Sequence, residues 1–150
     1  MISLVKTSPK SIDFETFVKA LDADLAIRDG DDHAFYHQFN QINNLKYIIV
    51  LYHADLAVAC GAIKEYDKST MEIKRMYTLP AHRGKGYASQ IISALEDWTL
   101  KLGYSRCILE TGINQPEAIA LYKKNEFQII NNYGQYEGLE TSFCFEKVLK

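Results

Sequence analysis

Apolar positions along the chain change period several times, and each change marks an element. Residues 2–6 (ISLVK) alternate weakly and predict a first strand, broken by Ser8-Pro9. From Ser11 the period turns helical: Phe14, Phe17, Val18, Leu21 and Leu25 recur at three and four, with Ile12 or Asp13 near the cap and a stop near Gly30. Asp31 or Asp32 then caps a predicted second helix carrying Phe35, Tyr36, Phe39 and Ile42, which ends in the polar cluster 40–44. Residues 46–52 (KYIIVLY) and 56–65 (LAVACGAIKE) are apolar strand-like runs around the turn His53-Ala54-Asp55, which makes a hairpin. A second turn at 67–69 leads to the strand 71–78, so three consecutive strands are expected to be antiparallel.

The period changes again after a basic glycine loop at 79–86. From Tyr87 onward Ala88, Ile91, Ile92, Leu95, Trp98 and Leu102 fall on one side of a predicted helix, with Gly103 as its stop. Residues 105–111 (SRCILET) form a strand, Pro116 opens a helix through Lys124, and 127–130 and 141–148 are the final strands. An aromatic, glycine-containing loop at 133–138 joins those two. No repeat or linker interrupts residues 1–150, which are expected to be one domain with an α+β or mixed α/β sheet rather than a doubly wound one.

Composition narrows the class. The chain is 47% hydrophobic and 24% charged, which excludes a disordered class, and its net charge of −2 argues against nucleic-acid binding by bulk charge. Cys60, Cys107 and Cys144 lie far apart in apolar runs, with no disulfide or metal spacing, so buried free thiols in a reducing compartment are expected. The first residues hold no apolar signal core, and no apolar run reaches the about 20 residues that span a bilayer. The expectation is a cytoplasmic protein with no membrane partner.

The strand, loop and helix spanning 71–89 carry the chemistry. A helix start leaves backbone N–H groups free and its dipole favours anions, so a phosphate-bearing ligand is expected at 83–88. Alone, the loop RGKGYA (83–88) is a weak motif. A second motif, AIALYKKNEF (118–127), follows at a fixed distance. Together the two resemble the GNAT-type, acetyl-CoA-dependent N-acetyltransferases, whose pyrophosphate loop is Arg/Gln-x-x-Gly-x-Gly/Ala and whose later helix carries Ala-Ile-x-Leu-Tyr-x-Lys-x-Gly-Phe. The resemblance implies a central, mostly antiparallel twisted sheet of about six or seven strands flanked by about four helices.

It also implies roles. Backbone amides of Gly84, Lys85, Gly86, Tyr87 and Ala88 would cradle the coenzyme A pyrophosphate, with charge from Arg83 and Lys85. Met76, Tyr77 and Thr78 would pair with the pantetheine arm, the Met76 amide facing the thioester oxygen. Tyr122 falls where the family often has the general acid for the departing thiolate. A substrate ammonium, with a pKa of about 10.4, must lose a proton before it attacks. Glu72, fourteen positions before Gly86, falls where some members carry the base; Glu65 and Glu110 are rivals, and a water relay is the other route. The family's pantetheine asparagine is replaced by Gln115, while Asn114 sits one place early, and either amide is a candidate to hold pantetheine. Glu126 replaces the helix-ending glycine, and Asn125 is expected to take over the left-handed cap.

His33 and His37 have a metal-compatible spacing without a third ligand, so surface or packing histidines are expected and no metal. Residues 13–32 hold seven acids and two bases; a cationic acceptor explains this, and so does a solvated helix face. Tyr133, Tyr136 and Phe143 could wall the acceptor pocket or simply pack. The expected activity is acetyl transfer from acetyl-CoA to a primary amine of a small molecule or peptide by direct attack in a ternary complex. The alternatives are a non-catalytic acyl-CoA-sensing module and a nucleic-acid module using Lys74, Arg75, Arg83 and Lys85. Aromatic C-terminal strands suggest a homodimer.

Overall fold

The computed structural model describes residues 1–30 and 45–149. The predicted second helix, with His33 and His37, lies outside them. Among the described residues seven strands form one sheet in the order β1-β2-β3-β4-β5-β7-β6. The strands β1 (Ile2–Thr7), β2 (Tyr47–His53), β3 (Leu56–Asp67) and β4 (Thr70–Thr78) run antiparallel in sequence. β5 (Arg106–Gly112) joins β4 in parallel, and β7 (Ser142–Val148) enters antiparallel between β5 and β6 (Gln128–Ile130). Three α-helices are present among the described residues: α1 (Ile12–Asp29), α2 (Tyr87–Lys101) and α3 (Pro116–Lys124).

The sheet is covered on both faces, which explains why 46–52 is a continuous apolar run rather than an alternating one. Ile48 and Val50 point to a core with Phe14, Phe17 and Val18 of α1, while Ile49 and Leu51 join the larger core under α2 and α3. All four are at most 1% exposed. Ser11, rather than Ile12 or Asp13, caps α1: its hydroxyl accepts from the Phe14 N–H at 3.3 Å, and Asp13 and Glu15 in the first turn suit the positive end of the dipole. α2 ends as predicted, with Leu102 at the cap and Gly103 at φ 93°.

α2 sits close to the sheet because Gly61 has no side chain. A Cβ there would lie 2.5 Å from Met76 Sδ and 2.8 Å from Ile91 Cγ2. The methionine end can move, but the β-branched Ile91 cannot without shifting the helix. Gly61→Ala is therefore expected to lower stability by about 1–3 kcal/mol, the usual cost of overpacking, measured as a reduced midpoint in urea; an unchanged midpoint would mean the helix yields freely.

Two features of β4 open the sheet. Its pairing with β5 stops at Glu72 and Ile108, so the two parallel strands diverge beyond that point. On the other side the β3 register jumps from Cys60–Tyr77 to Ala62–Lys74, leaving Arg75 and Met76 opposite the single residue Gly61. This is a bulge, and Arg75 adopts φ 58° within it. Beyond Glu72 the edge of β4 that faces β5 therefore pairs with no strand among the described residues.

Candidate active site

The splay between β4 and β5 continues into a cavity of about 390 Å³ that runs from the glycine loop, along β4, to α3 and the β6–β7 connection. At one end the loop is arranged for an anion. Gly84 and Gly86 have φ 78° and 83°, a region costly for residues with a Cβ, and a Cβ at either would project into open space. Gly86 is the N-cap of α2, with no side-chain cap and no acid in the first turn. The N–H groups of the first turn are left for a ligand. Asn125 Nδ2 donates to Ser89 Oγ at 3.1 Å, tying the end of α3 to the start of α2.

Side chains at this end are cationic or neutral. His82, Arg83 and Lys124 line it, and the buried His82 Nδ1 has no hydrogen-bond partner among the described residues. Arg83 Nε donates to the Thr78 carbonyl at 2.9 Å, and its guanidinium lies 5.5 Å from the Tyr77 ring centre, which folds the loop back over the strand. Gly84, Gly86, Tyr87 and Ala88 border the cavity; Lys85 is exposed and does not. The Tyr87 side chain belongs to the core, leaving its backbone to the loop.

Along the middle run Met76, Tyr77 and Thr78, with Gln115 on the opposite wall. Asn114 is used elsewhere: its side-chain amide donates to the Arg28 carbonyl at 3.0 Å, and Arg28 Nη1 donates to the Asn114 carbonyl at 3.3 Å. Arg28 also pairs with Asp24 at 3.2 Å and with Glu117, so the end of α1 is clamped to the start of α3.

Carboxylates and tyrosines concentrate at the far end. Glu72, only 8% exposed, accepts a 2.5 Å hydrogen bond from the Tyr133 hydroxyl on Oε2, while Lys74 Nζ lies 3.8 Å from Oε1. Glu110 lines the same wall, as do Tyr122 and Tyr136. Glu65, the other rival base, lies outside the cavity and accepts from Tyr104. Tyr122 is buried against Phe127 and Phe145, with ring centres 5.8 and 6.0 Å away. Burial, and then the charge of Glu110, raises the Tyr122 pKa well above the usual phenol value. Tyr133, which meets Tyr66 and Tyr136 edge-on, is likewise raised by burial and by Glu72.

Several expectations need correction. Lys74 and Arg75 are not surface cations: their side chains are 8% and 2% exposed, and Arg75 Nη2 is held by Asp22 at 2.7 Å and by the Val18 carbonyl at 3.3 Å. The proposed nucleic-acid cluster therefore does not exist as a face. The acids of 13–32 are partly engaged, Asp13 by Tyr52 at 2.7 Å, Asp22 by Arg75 and Asp24 by Arg28. Phe143 does not line the cavity. Glu126 itself takes the left-handed conformation at φ 71°, while Asn125 stays at φ −90° and instead donates its amide to the Leu121 carbonyl. Sequence reasoning missed His82, Lys124 and the Tyr133–Glu72 bond; the 133–138 loop signalled its aromatics but not their target.

The three thiols are free and buried, and none borders the cavity. Burial pushes Cys60 up to about 12 and Cys107 and Cys144 up to about 11. Among the described residues no His, Cys, Asp and Glu group has a metal-binding arrangement, and no helix is long and apolar enough to cross a membrane.

With this geometry in place, the comparisons with known proteins fix the class. The model of the acetyltransferase (GNAT) family matches residues 14–127, and the chain belongs to that family. Over 102 residues it is 33% identical to an IAA acetyltransferase of Azospirillum brasilense, covering 67% of each chain. Over 87 residues it is 36% identical to YsnE, an uncharacterized N-acetyltransferase of Bacillus subtilis, covering 57% of this chain and 58% of that one. A Klebsiella pneumoniae protein named for acyl-CoA N-acyltransferase activity superposes with a TM-score of 0.84 at 28% identity, over 100% of this chain and 99% of the other. A PaiA N-acetyltransferase of Thermoplasma acidophilum, solved with coenzyme A, shares the fold with a TM-score of 0.73 at 17% identity and 99% coverage of both.

Proposed function

We propose that this acyltransferase moves the acetyl group of acetyl-CoA directly to a primary amine of a small molecule or peptide. The observation that carries the reading is the continuity of one cavity from the anion-ready loop, along the strand edge from which β5 diverges, to a carboxylate and a buried tyrosine. Acetyl-CoA supplies an activated thioester as acyl donor. Backbone N–H groups of Gly84, Gly86, Tyr87 and Ala88 hold its pyrophosphate, and Lys85 contributes charge from outside the cavity. Met76, Tyr77, Thr78 and Gln115 hold the pantetheine arm, and the Met76 amide polarises the carbonyl. Glu72 takes the proton of the acceptor ammonium and Tyr122 protonates the departing sulfur.

Direct transfer is favoured over an acyl-cysteine because all three thiols lie off the cavity with raised pKa values, which leaves little thiolate near neutral pH. The paired charges within the cavity favour a productive acceptor site over the sensing module. We place the enzyme in the cytoplasm, consistent with its free thiols.

Calorimetry with coenzyme A tests the donor site. Gly86→Val puts a β-branched residue at φ 83° and a side chain in the open space before the helix start. That side chain stands where the pyrophosphate must approach the backbone, so affinity should fall roughly tenfold or more. A wild-type protein that binds no coenzyme A would sink the reading.

A further inference from the structure

The acceptor end of the cavity already contains a primary amine. Lys74 lies beside Glu72, on the wall where β4 leaves β5, two residues before Met76. Its side chain is only 8% exposed, whereas Lys124, the other lysine of the cavity wall, is exposed at the loop end. Lys74 is thus the lysine that shares a water-poor compartment with the proposed base and the strand edge proposed for the donor. We propose that Lys74 is a self-acetylation site, modified by acetyl-CoA bound in the same molecule when no acceptor amine occupies the cavity. This rests on the donor site proposed above.

Charge at Lys74 is balanced in a way that permits the step. Burial lowers its pKa most; Glu72 opposes this, Lys64 on β3 lowers it, Glu110 on β5 opposes and Arg75 lowers. The net direction is down, which enlarges the neutral fraction that can act as nucleophile. In the step, the Nζ lone pair forms the new C–N bond and the thioester C–S bond breaks, its electron pair leaving on sulfur. The proton shed by nitrogen passes to Glu72, and the sulfur takes a proton from Tyr122 and leaves as the coenzyme A thiol. No electrons are gained or lost overall.

The product has a consequence for the site. Acetyl-Lys74 carries no charge, leaves Glu72 without its cationic neighbour at 3.8 Å and adds bulk at the acceptor end. Self-acetylated protein is therefore expected to turn over amines more slowly than fresh protein.

The test is incubation of purified protein with acetyl-CoA and no amine, followed by intact-mass measurement, peptide mapping and calorimetry with coenzyme A. One acetyl group should accumulate at Lys74, at least ~10-fold faster than at exposed Lys85, as intramolecular delivery requires. The rate per molecule should be independent of protein concentration and suppressed by excess coenzyme A. Lys74→Arg should abolish the mass increase while still binding coenzyme A. Binding of coenzyme A without modification of Lys74, a rate proportional to protein concentration, or equal labelling of heat-unfolded protein would each overturn the inference. Failure to bind coenzyme A would instead remove the donor site on which it rests.

Discussion

Tyr122→Phe is expected to lower kcat for amine acetylation by about 10²–10⁴-fold, the range in which a positioned general acid contributes, while calorimetric affinity for coenzyme A stays unchanged. Phenylalanine keeps the ring contacts with Phe127 and Phe145, so the fold should survive and the loss should fall on turnover alone. The pH profile adds a second check. Burial and Glu110 raise the Tyr122 pKa above its ordinary value, so the hydroxyl stays protonated throughout the neutral range and neither limb of the profile belongs to it. The variant should therefore lower the plateau without displacing either limb. A kcat equal to wild type would transfer the proton-donor role to water or to Tyr136, which lines the same wall.

The elements that the sequence declares are those whose neighbours impose a single period. α2 presents Ile91, Ile92 and Leu95 to one sheet face, and its stop at Gly103 needs the left-handed conformation that glycine supplies. β2 and β3 are legible as a hairpin because burial on both faces writes an apolar run on either side of a short turn. The insertion of β7 between β5 and β6 leaves no comparable trace. Strand pairing depends on which segments meet after collapse, and local periodicity says nothing of neighbours distant in sequence.

The site was legible in part for the same reason. Its anion loop is a local device, a pair of glycines ahead of a helix, and the chain spells it out. Its open strand edge is not local. Nothing within 71–78 reveals that pairing with β5 ends at Glu72, or that Arg75 turns left-handed in a bulge and buries its guanidinium against Asp22. Lys74 and Arg75 looked like surface cations because charge usually marks exposure. Here bulge, splay and acidic partners from α1 and β4 reverse that rule. The Tyr133–Glu72 bond joins residues 61 positions apart, beyond any periodicity.

That bond decides how the last substitution should behave. Glu72→Gln is expected to lower kcat/KM for the amine by about 10²–10⁴-fold, since an amide cannot accept the ammonium proton. Coenzyme A affinity should not change, because Glu72 stands at the opposite end of the cavity from the glycine loop. Tyr133→Phe separates removal of the base from its misplacement. It deletes the 2.5 Å donor to Oε2 while keeping the ring among Tyr66 and Tyr136. A carboxylate that loses this donor is less firmly positioned, so Tyr133→Phe should lower kcat/KM less than Glu72→Gln does. If Glu72→Gln keeps the wild-type kcat/KM and Glu110→Gln loses it, the base is Glu110, the other carboxylate lining the cavity.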